Sequence, residues 1–251
     1  MMYTHTFIII AQDENDDLES CIKSIMNQSV KSNVLIYTNT PNDFIIDLAS
    51  KYSIGVIIDD DKLNYNYLIN FLNTELVTIV NQKDLYNRNY TKEIINCYNK
   101  NKDASIIFTN NYEIKDDVKI KNNMSLFKKR LLMNFLRYSK FQNKKFFKKI
   151  VLCFQKCFCT SSVTFIKNNI HENSFPINYN YNNDWVGFIN LVKDNNKFVY
   201  LAKVLVGNRI IDVDDELKIK EDIDVYKLMW NSKLVNYFYL KKVLKYEGKN
   251  K

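Results

Sequence analysis

Four polar residues, Asn81-Gln82-Lys83-Asp84, follow a run of apolar and β-branched residues from Leu76 to Val80. The run reads as a buried strand. In open α/β sheets ligands bind just past the carboxyl ends of the strands, so all four side chains are expected to face a ligand. One carboxylate beside one ammonium is an unusual pair for that place. The ammonium is a compact cation that binds phosphate as a point charge. Its bland alternative is a solvated loop lysine beside Asp84.

A second acidic group, Asp59-Asp60-Asp61, ends another apolar run. It either supplies carboxylates to a ligand or solvates a strand end. His5 and His171 stand alone, with no triad or metal context. Cys153, Cys157 and Cys159 have metal-like spacing, but no second Cys or His cluster accompanies them, which favours packing. Five cysteines make an odd count without a disulfide framework, and no secretory signal precedes them. A reducing cytoplasm is the expected compartment.

The elements that must position these groups alternate. Phe7 to Ile10, Val34 to Tyr37, Ile54 to Ile58, Leu76 to Val80 and Ala104 to Phe108 read as strands. Between the first two, Leu18, Cys21, Ile22, Ile25 and Met26 recur at helical spacing. The "TPND" run starts the next helix, with Thr40 as its expected cap and Asp43 as the capping-box acid. Strands alternating with helices predict an α/β fold, a mostly parallel sheet with helices on both faces. A second α/β portion carries the helix "NDWVGFINLVK" and the strand "KFVYLAKVLVG". Glu221 to Tyr246 reads as a helical tail with Val225, Leu228, Met229, Leu234, Val235 and Phe238 inward. No repeat or Pro/Gly/Ser linker interrupts the 251 residues, so one domain is expected.

The net charge of +8 is concentrated in one place. From Val118 to His171 there is no Asp or Glu, while the same stretch holds thirteen Lys and Arg. Such a block points to a phosphate-bearing partner: an anionic membrane, a lipid-linked phosphate or nucleic acid. Nothing resembles a nucleic-acid recognition motif, which sets that class aside. Leu126, Phe127, Leu131, Phe135, Phe146 and Phe147 interleave with the basic residues. That suits helices on an anionic membrane, where each nearby basic residue contributes on the order of 1 kcal/mol. It equally suits a helical cap with its Lys in water. Lys144, Lys145, Lys148 and Lys149 are expected on one exposed side. No apolar run approaches the roughly 20 residues of a spanning helix.

The order of motifs resembles the family 2 glycosyltransferases, which have the GT-A fold, over about Thr6 to Ile211. In "IIIAQDENDDLESCIKSIMNQS", the residues Ala11, Glu14, Leu18, Cys21, Ile22, Ser24, Ile25, Asn27 and Gln28 match the family's opening strand, turn and helix. "TNTP" and "NQKD" stand where the family has acidic strand ends, the second being its metal-binding Asp-x-Asp. Asn183-Asp184-Trp185 and Asn208-Arg209 stand where it has an acidic pair before an aromatic residue and a late strand ending in Arg. The resemblance implies one GT-A-like domain: a nucleotide-sugar half over 1–117, a basic helical insertion over 118–160, an acceptor half over 161–211 and a helical tail over 212–251.

It also implies roles. Asp184 becomes the base that removes the acceptor hydroxyl's proton, against the plainer reading of Asn183 or Asp184 as a helix cap. Ala11, Gln12, Glu14, Thr38, Asn81, Lys83, Asp84 and Arg209 fall on the donor side, and Trp185 on the acceptor side. The departures concern charge. Thr38 replaces an acid that contacts the base, Tyr65 or Asn66 lies where Arg is common, Asn81 and Lys83 replace both metal-binding acids, and Ile211 replaces a late His. Divalent metals held by oxygen need carboxylates at close range, so a metal is doubtful here. Lys83, with Arg209, then stands in for it. The function this implies is sugar transfer from a nucleotide-sugar to a bacterial surface-glycan or lipid-linked acceptor, by a cytoplasmic protein peripheral to the membrane's inner face. A catalytically weak partner in glycan assembly and a nucleotide-binding regulator remain as alternatives.

Overall fold

The computed structural model describes residues 4–59, 63–153, 156–210 and 216–230. Strand β1 (His5–Ile10), helix α1 (Asp17–Met26), β2 (Asn33–Thr38), α2 (Asp43–Lys51), β3 (Gly55–Ile58), α3 (Tyr65–Phe71) and β4 (Leu76–Asn81) alternate in chain order. A short β5 (Leu85–Tyr86), α4 (Tyr90–Tyr98), the long β6 (Ala104–Lys115) and β7 (Val118–Ile120) follow. The basic segment forms α5 (Met124–Met133), α6 (Ser139–Gln142) and α7 (Lys145–Ile150). Then come β8 (Val163–Ile166), α8 (Asn183–Val192), β9 (Lys197–Arg209) and α9 (Glu216–Met229).

The sheet runs β3-β2-β1-β4-β8-β6-β9-β5, with β7 paired to β6. The first four strands are parallel, because each is joined to the next by a helix that crosses over the sheet. β8 enters antiparallel between β4 and β6, pairing Val77 with Phe165 and Ile106 with Phe165. The sheet is therefore mixed, and largely parallel. The β6–β9 pair is parallel and bends at irregularities around Thr109 to Asn111, so its carboxyl end reaches past the rest of the sheet.

Two apolar layers cover the faces. On one, α1 contributes Leu18, Cys21, Ile22 and Ile25, with α2 and α4 alongside. Full burial of each such aliphatic side chain contributes about 1.5–3 kcal/mol. On the other face lie α3, α8 and α9 with Phe165, Phe188 and Trp185. Gly187 of α8 sits against the Phe175 ring: an added Cβ there would lie 1.9 Å from it. A hydroxyl network joins His5, Ser32, Thr78, Thr164 and Tyr90 through the sheet centre. Burial there pushes His5 down to about 3.

Several local expectations are corrected. Helix α2 is capped by Asn42, whose Oδ1 accepts from the Ile45 amide, and not by Thr40. Thr40 instead donates to the Gln12 carbonyl. Lys148 is not on the exposed side of the basic segment: it is 0% exposed, and Nζ donates to the carbonyls of Leu191, Asp194 and Asn196. An ammonium there satisfies carbonyls left over at the end of α8. Leu228 of α9 is exposed rather than inward, and residues 231–246 of the expected tail lie outside the described residues. Cys153 and Cys157 are packed in the core. Among the described residues no helix is long and apolar enough to cross a membrane.

Candidate active site

The carboxyl ends of β1, β2 and β4 meet at one place. The Ala11 amide donates to the Tyr37 carbonyl, and the Gln82 amide donates to that of Ile10. Gln12 is tied in by its own amide, which donates to Gln82 Oε1 at 3.2 Å. Thr38 is buried, and its hydroxyl oxygen accepts from the Thr40 amide. Gln12 and Glu14 are exposed at the rim.

The expectation that all four residues of "NQKD" face a ligand is corrected by the pleat and turn. Asn81 is exposed and Lys83 partly so, while Gln82 and Asp84 are 3% and 1% exposed. Asn81 Oδ1 accepts from the Lys83 amide and holds the turn. The Lys83 ammonium lies 3.5 Å from Asp13. Asp84 points inward, where both oxygens accept from Asn208 Nδ2 and Oδ1 also accepts from the Arg209 amide. Burial raises Asp84 to about 6, partly offset by hydrogen bonds from Ser161, Arg209 and Asn208. The Arg209 guanidinium bridges Asp17 and Asp117, both at 2.8 Å.

Asp184 sits in the first turn of α8 and is 7% exposed. The helix is capped by Asn182 without a side-chain bond, so neither Asn183 nor Asp184 is the cap. Asp184 Oδ2 accepts from both Lys156 Nζ and the Thr160 hydroxyl. Its Oδ1 accepts from the Trp185 amide. The 3-10 turn Thr160–Ser162 thus lies between the two acids: Thr160 donates to Asp184, while the next residue, Ser161, accepts the Asn81 amide and lies near enough to Asp84 to help hold its carboxyl down. Tyr65, expected near a missing Arg, lies close enough to Asp184 for its charge to raise the phenol, after burial.

Trp185 is corrected. It is 4% exposed and donates to the Leu152 carbonyl, so its indole belongs to the core and not to an acceptor surface. The loop before α8 is organised by a residue that sequence reasoning missed. Glu221 accepts the backbone amides of Asn180, Tyr181 and Asn182. Lys156 and Thr160 were missed as well. The hydroxyl run "TSS" before β8 was a visible signal for the turn, but nothing near Lys156 marks its partner 28 positions on.

A divalent metal at "NQKD" does not fit these residues. Asp84 has both oxygens engaged by Asn208, and an ammonium stands two positions from Asn81 in the place of an acid. Among the described residues no three His, Cys, Asp or Glu side chains come together to hold an ion. Asp60, Asp61 and Ile211 lie outside the described residues.

Sheet order, crossovers and the cleft at the strand ends make this a GT-A-like α/β fold, the fold of a class of glycosyltransferases. Among solved structures it is similar to TarS from S. aureus: residues 1–349 of that protein with UDP-GlcNAc align at TM-score 0.63 and 11% identity, covering 94% of this chain and 70% of that one. Against a longer TarS chain the values are 0.61 and 12%, with 88% of this chain covering 39% of that one. The mannosyltransferase PcManGT from Pyrobaculum calidifontis, in complex with GDP-Man and Mn2+, aligns at 0.61 and 10%, over 90% of this chain and 63% of its own. No protein-family model and no curated protein matches the sequence.

Proposed function

We propose that the chain is a cytoplasmic glycosyltransferase that moves a sugar from a nucleotide-sugar to a hydroxyl of a bacterial surface-glycan or lipid-linked acceptor, with inversion. The supporting observation is the Thr160–Ser162 turn, which donates to Asp184 through Thr160 and, through Ser161, receives the Asn81 amide beside Asp84 at one cleft. TarS bound to UDP-GlcNAc and PcManGT bound to GDP-Man share the fold and suggest the donor class.

In this reading Asp184 takes the proton of the acceptor hydroxyl as its oxygen attacks the anomeric carbon. The nucleoside diphosphate leaves from the opposite face, carrying the electrons of the broken bond. Its charge needs compensation. Lys83 supplies a fixed positive charge at the rim, and Arg209 is a second donor once it exchanges Asp17 or Asp117 for phosphate. Asp84 positions Arg209 by fixing the Asn208–Arg209 backbone. Asp184 Oδ2 already accepts two hydrogen bonds, so a bound diphosphate that draws Lys156 away frees the oxygen for the proton. Ala11, Gln12, Glu14, Thr38 and Asn81 line the donor side.

A second reading, a catalytically weak partner in glycan assembly, is favoured by one observation: Lys156, Lys83 and Arg209 each face carboxylates of the chain itself. Titration with a panel of nucleoside diphosphate sugars, followed by turnover assays, separates the two. Saturable binding with sugar release that Asp184→Asn abolishes supports transfer. Binding without turnover, or no binding, supports the weak partner.

A further inference from the structure

We propose that α5 and the aromatic cluster after it form a docking face for a membrane rich in anionic lipid. A surface helix normally turns its apolar stripe inward and its charges outward. Helix α5 buries Leu126 and Met133 in that way but carries a second apolar stripe outward. Met124, Phe127 and Leu131 lie at i, i+3 and i+7 and are 69%, 63% and 59% exposed. Charged residues hold the helix from beneath: Arg130 donates to Asn110 Oδ1 and the carbonyls of Asn111 and Lys121, while Lys129 faces Glu113. Asn123 caps the helix through the Leu126 amide and also donates to Glu113. The outward apolar stripe is therefore fixed in place from beneath, by buried Leu126 and Met133 together with these polar contacts.

The stripe continues beyond α5. Phe135 is 41% exposed, and its ring centroid lies 5.2 Å from that of Phe147. Phe147 in turn lies 5.3 Å from Phe146, which is 67% exposed. In the same basic segment Lys128, Arg137, Lys140, Lys144, Lys145 and Lys149 are exposed. No acid occurs in the sequence between Val118 and His171 to balance them. Apolar tips inside a basic rim fit the boundary between headgroups and acyl chains of an anionic bilayer.

Charge selects this occupant over two others. A second copy of the chain would bring the same basic rim against itself. Residues 231–251 carry six Lys and one Glu, so they supply no counter-charge either. The face adjoins the cleft: α5 is tied to Glu113, which pairs with Asn208 in the β6–β9 register. A bilayer docked here lies beside the end of the sheet that carries Arg209. The proposal stands apart from sugar transfer, because vesicle binding is read without a donor.

The test is sedimentation of the full chain with vesicles of phosphatidylcholine alone and of phosphatidylcholine with phosphatidylglycerol, at low and high salt. The expected result is binding to the anionic vesicles that weakens at least about tenfold at high salt, as screening requires. The double variant Phe127→Ser, Leu131→Ser should lose binding by a similar factor with an unchanged melting temperature, and Lys144→Ser with Lys145→Ser should reduce the salt-dependent part. Equal partitioning onto both vesicle types overturns the proposal, as does full binding by the Phe127/Leu131 variant. A concentration-dependent dimer abolished by that variant, or retention on duplex DNA without vesicle binding, overturns it too.

Discussion

Asp84 holds Arg209 by its backbone: Oδ1 accepts from the Arg209 amide at 2.8 Å, while the guanidinium reaches Asp17 and Asp117. A buried carboxylate thus sets where a surface cation starts from without neutralising it. Because β4 and β9 are far apart in sequence, this contact also ties the loop after one strand to the end of the other.

The contact has a pH signature. Burial raises Asp84 from 3.8 to about 6, so between these values the folded protein keeps a proton that the unfolded chain releases. Stability from this group is therefore fully present below about pH 3.8 and is lost as pH rises through 6, by on the order of 3 kcal/mol in all. His5 works in the opposite sense. Its value falls from 6.5 to about 3, so its contribution is present above pH 6.5 and is lost as pH falls. The melting temperature of Asp84→Asn, less that of the parent, should climb between pH 4 and 6. Thermal melts across that range check it, and a flat difference would remove Asp84 as the titrating group.

Lys148 should matter for stability and not for electrostatic binding. Lys148→Ala leaves the carbonyls of Leu191, Asp194 and Asn196 without their donor and opens space beside Phe198. A loss of about 2–4 kcal/mol is expected. Lys145→Ala, on the exposed side of the same helix, should stay within about 0.5 kcal/mol of the parent. Denaturant unfolding of the two variants gives the comparison.

For transfer activity, Asp184→Asn should lower turnover about 1000-fold or more while donor affinity stays near the parent's. Lys156→Met should weaken donor binding and turnover together, since its ammonium is assigned first to Asp184 and then to the diphosphate. Lys83→Ala should reduce turnover more than it weakens acceptor binding. Activity should survive chelator. Activity that disappears with chelator and returns with manganese would reject the role given to Lys83.

Glu221→Gln should impair the acceptor loop without touching the reacting groups. An amide presents one acceptor oxygen where the carboxylate serves three backbone donors. Unfolding should become easier by about 1–3 kcal/mol. Acceptor KM should rise while donor affinity holds. A variant that kept normal acceptor kinetics would show that residues 180–182 do not shape that side of the cleft.

The alternation of strands and helices up to β4 was legible because each element carries its own period. Leu18, Cys21, Ile22 and Ile25 mark α1 without reference to anything distant. The strand ends that gather Ala11, Thr38 and Asn81 followed from the same pattern. The inward turn of Gln82 and Asp84 did not, since partners for Asp84 come from β9, 124 residues away. Lys148 read as solvated because it sits among lysines, and its carbonyl partners lie more than 40 positions later. Trp185 read as an acceptor contact from motif order, but its packing depends on Leu152 and Tyr226. The outward apolar face of α5 was visible only as interleaved Phe, Leu and Lys, whose orientation depends on Arg130 reaching Asn110 and Asn111 in the middle of β6.

The Thr160–Ser162 turn makes the two halves of the cleft share one mount, with Tyr86 also donating to the Ser161 carbonyl. Thr160 and Ser161 cannot be moved separately, because a peptide bond joins them. Substitutions that disturb Asp84 should therefore be felt at Asp184. Their effects should be non-additive, with Ser161→Ala and Asp184→Asn together costing less than the sum of the two. Mutational tolerance at one carboxylate is then conditional on the other, and the cleft changes by paired replacements or not at all.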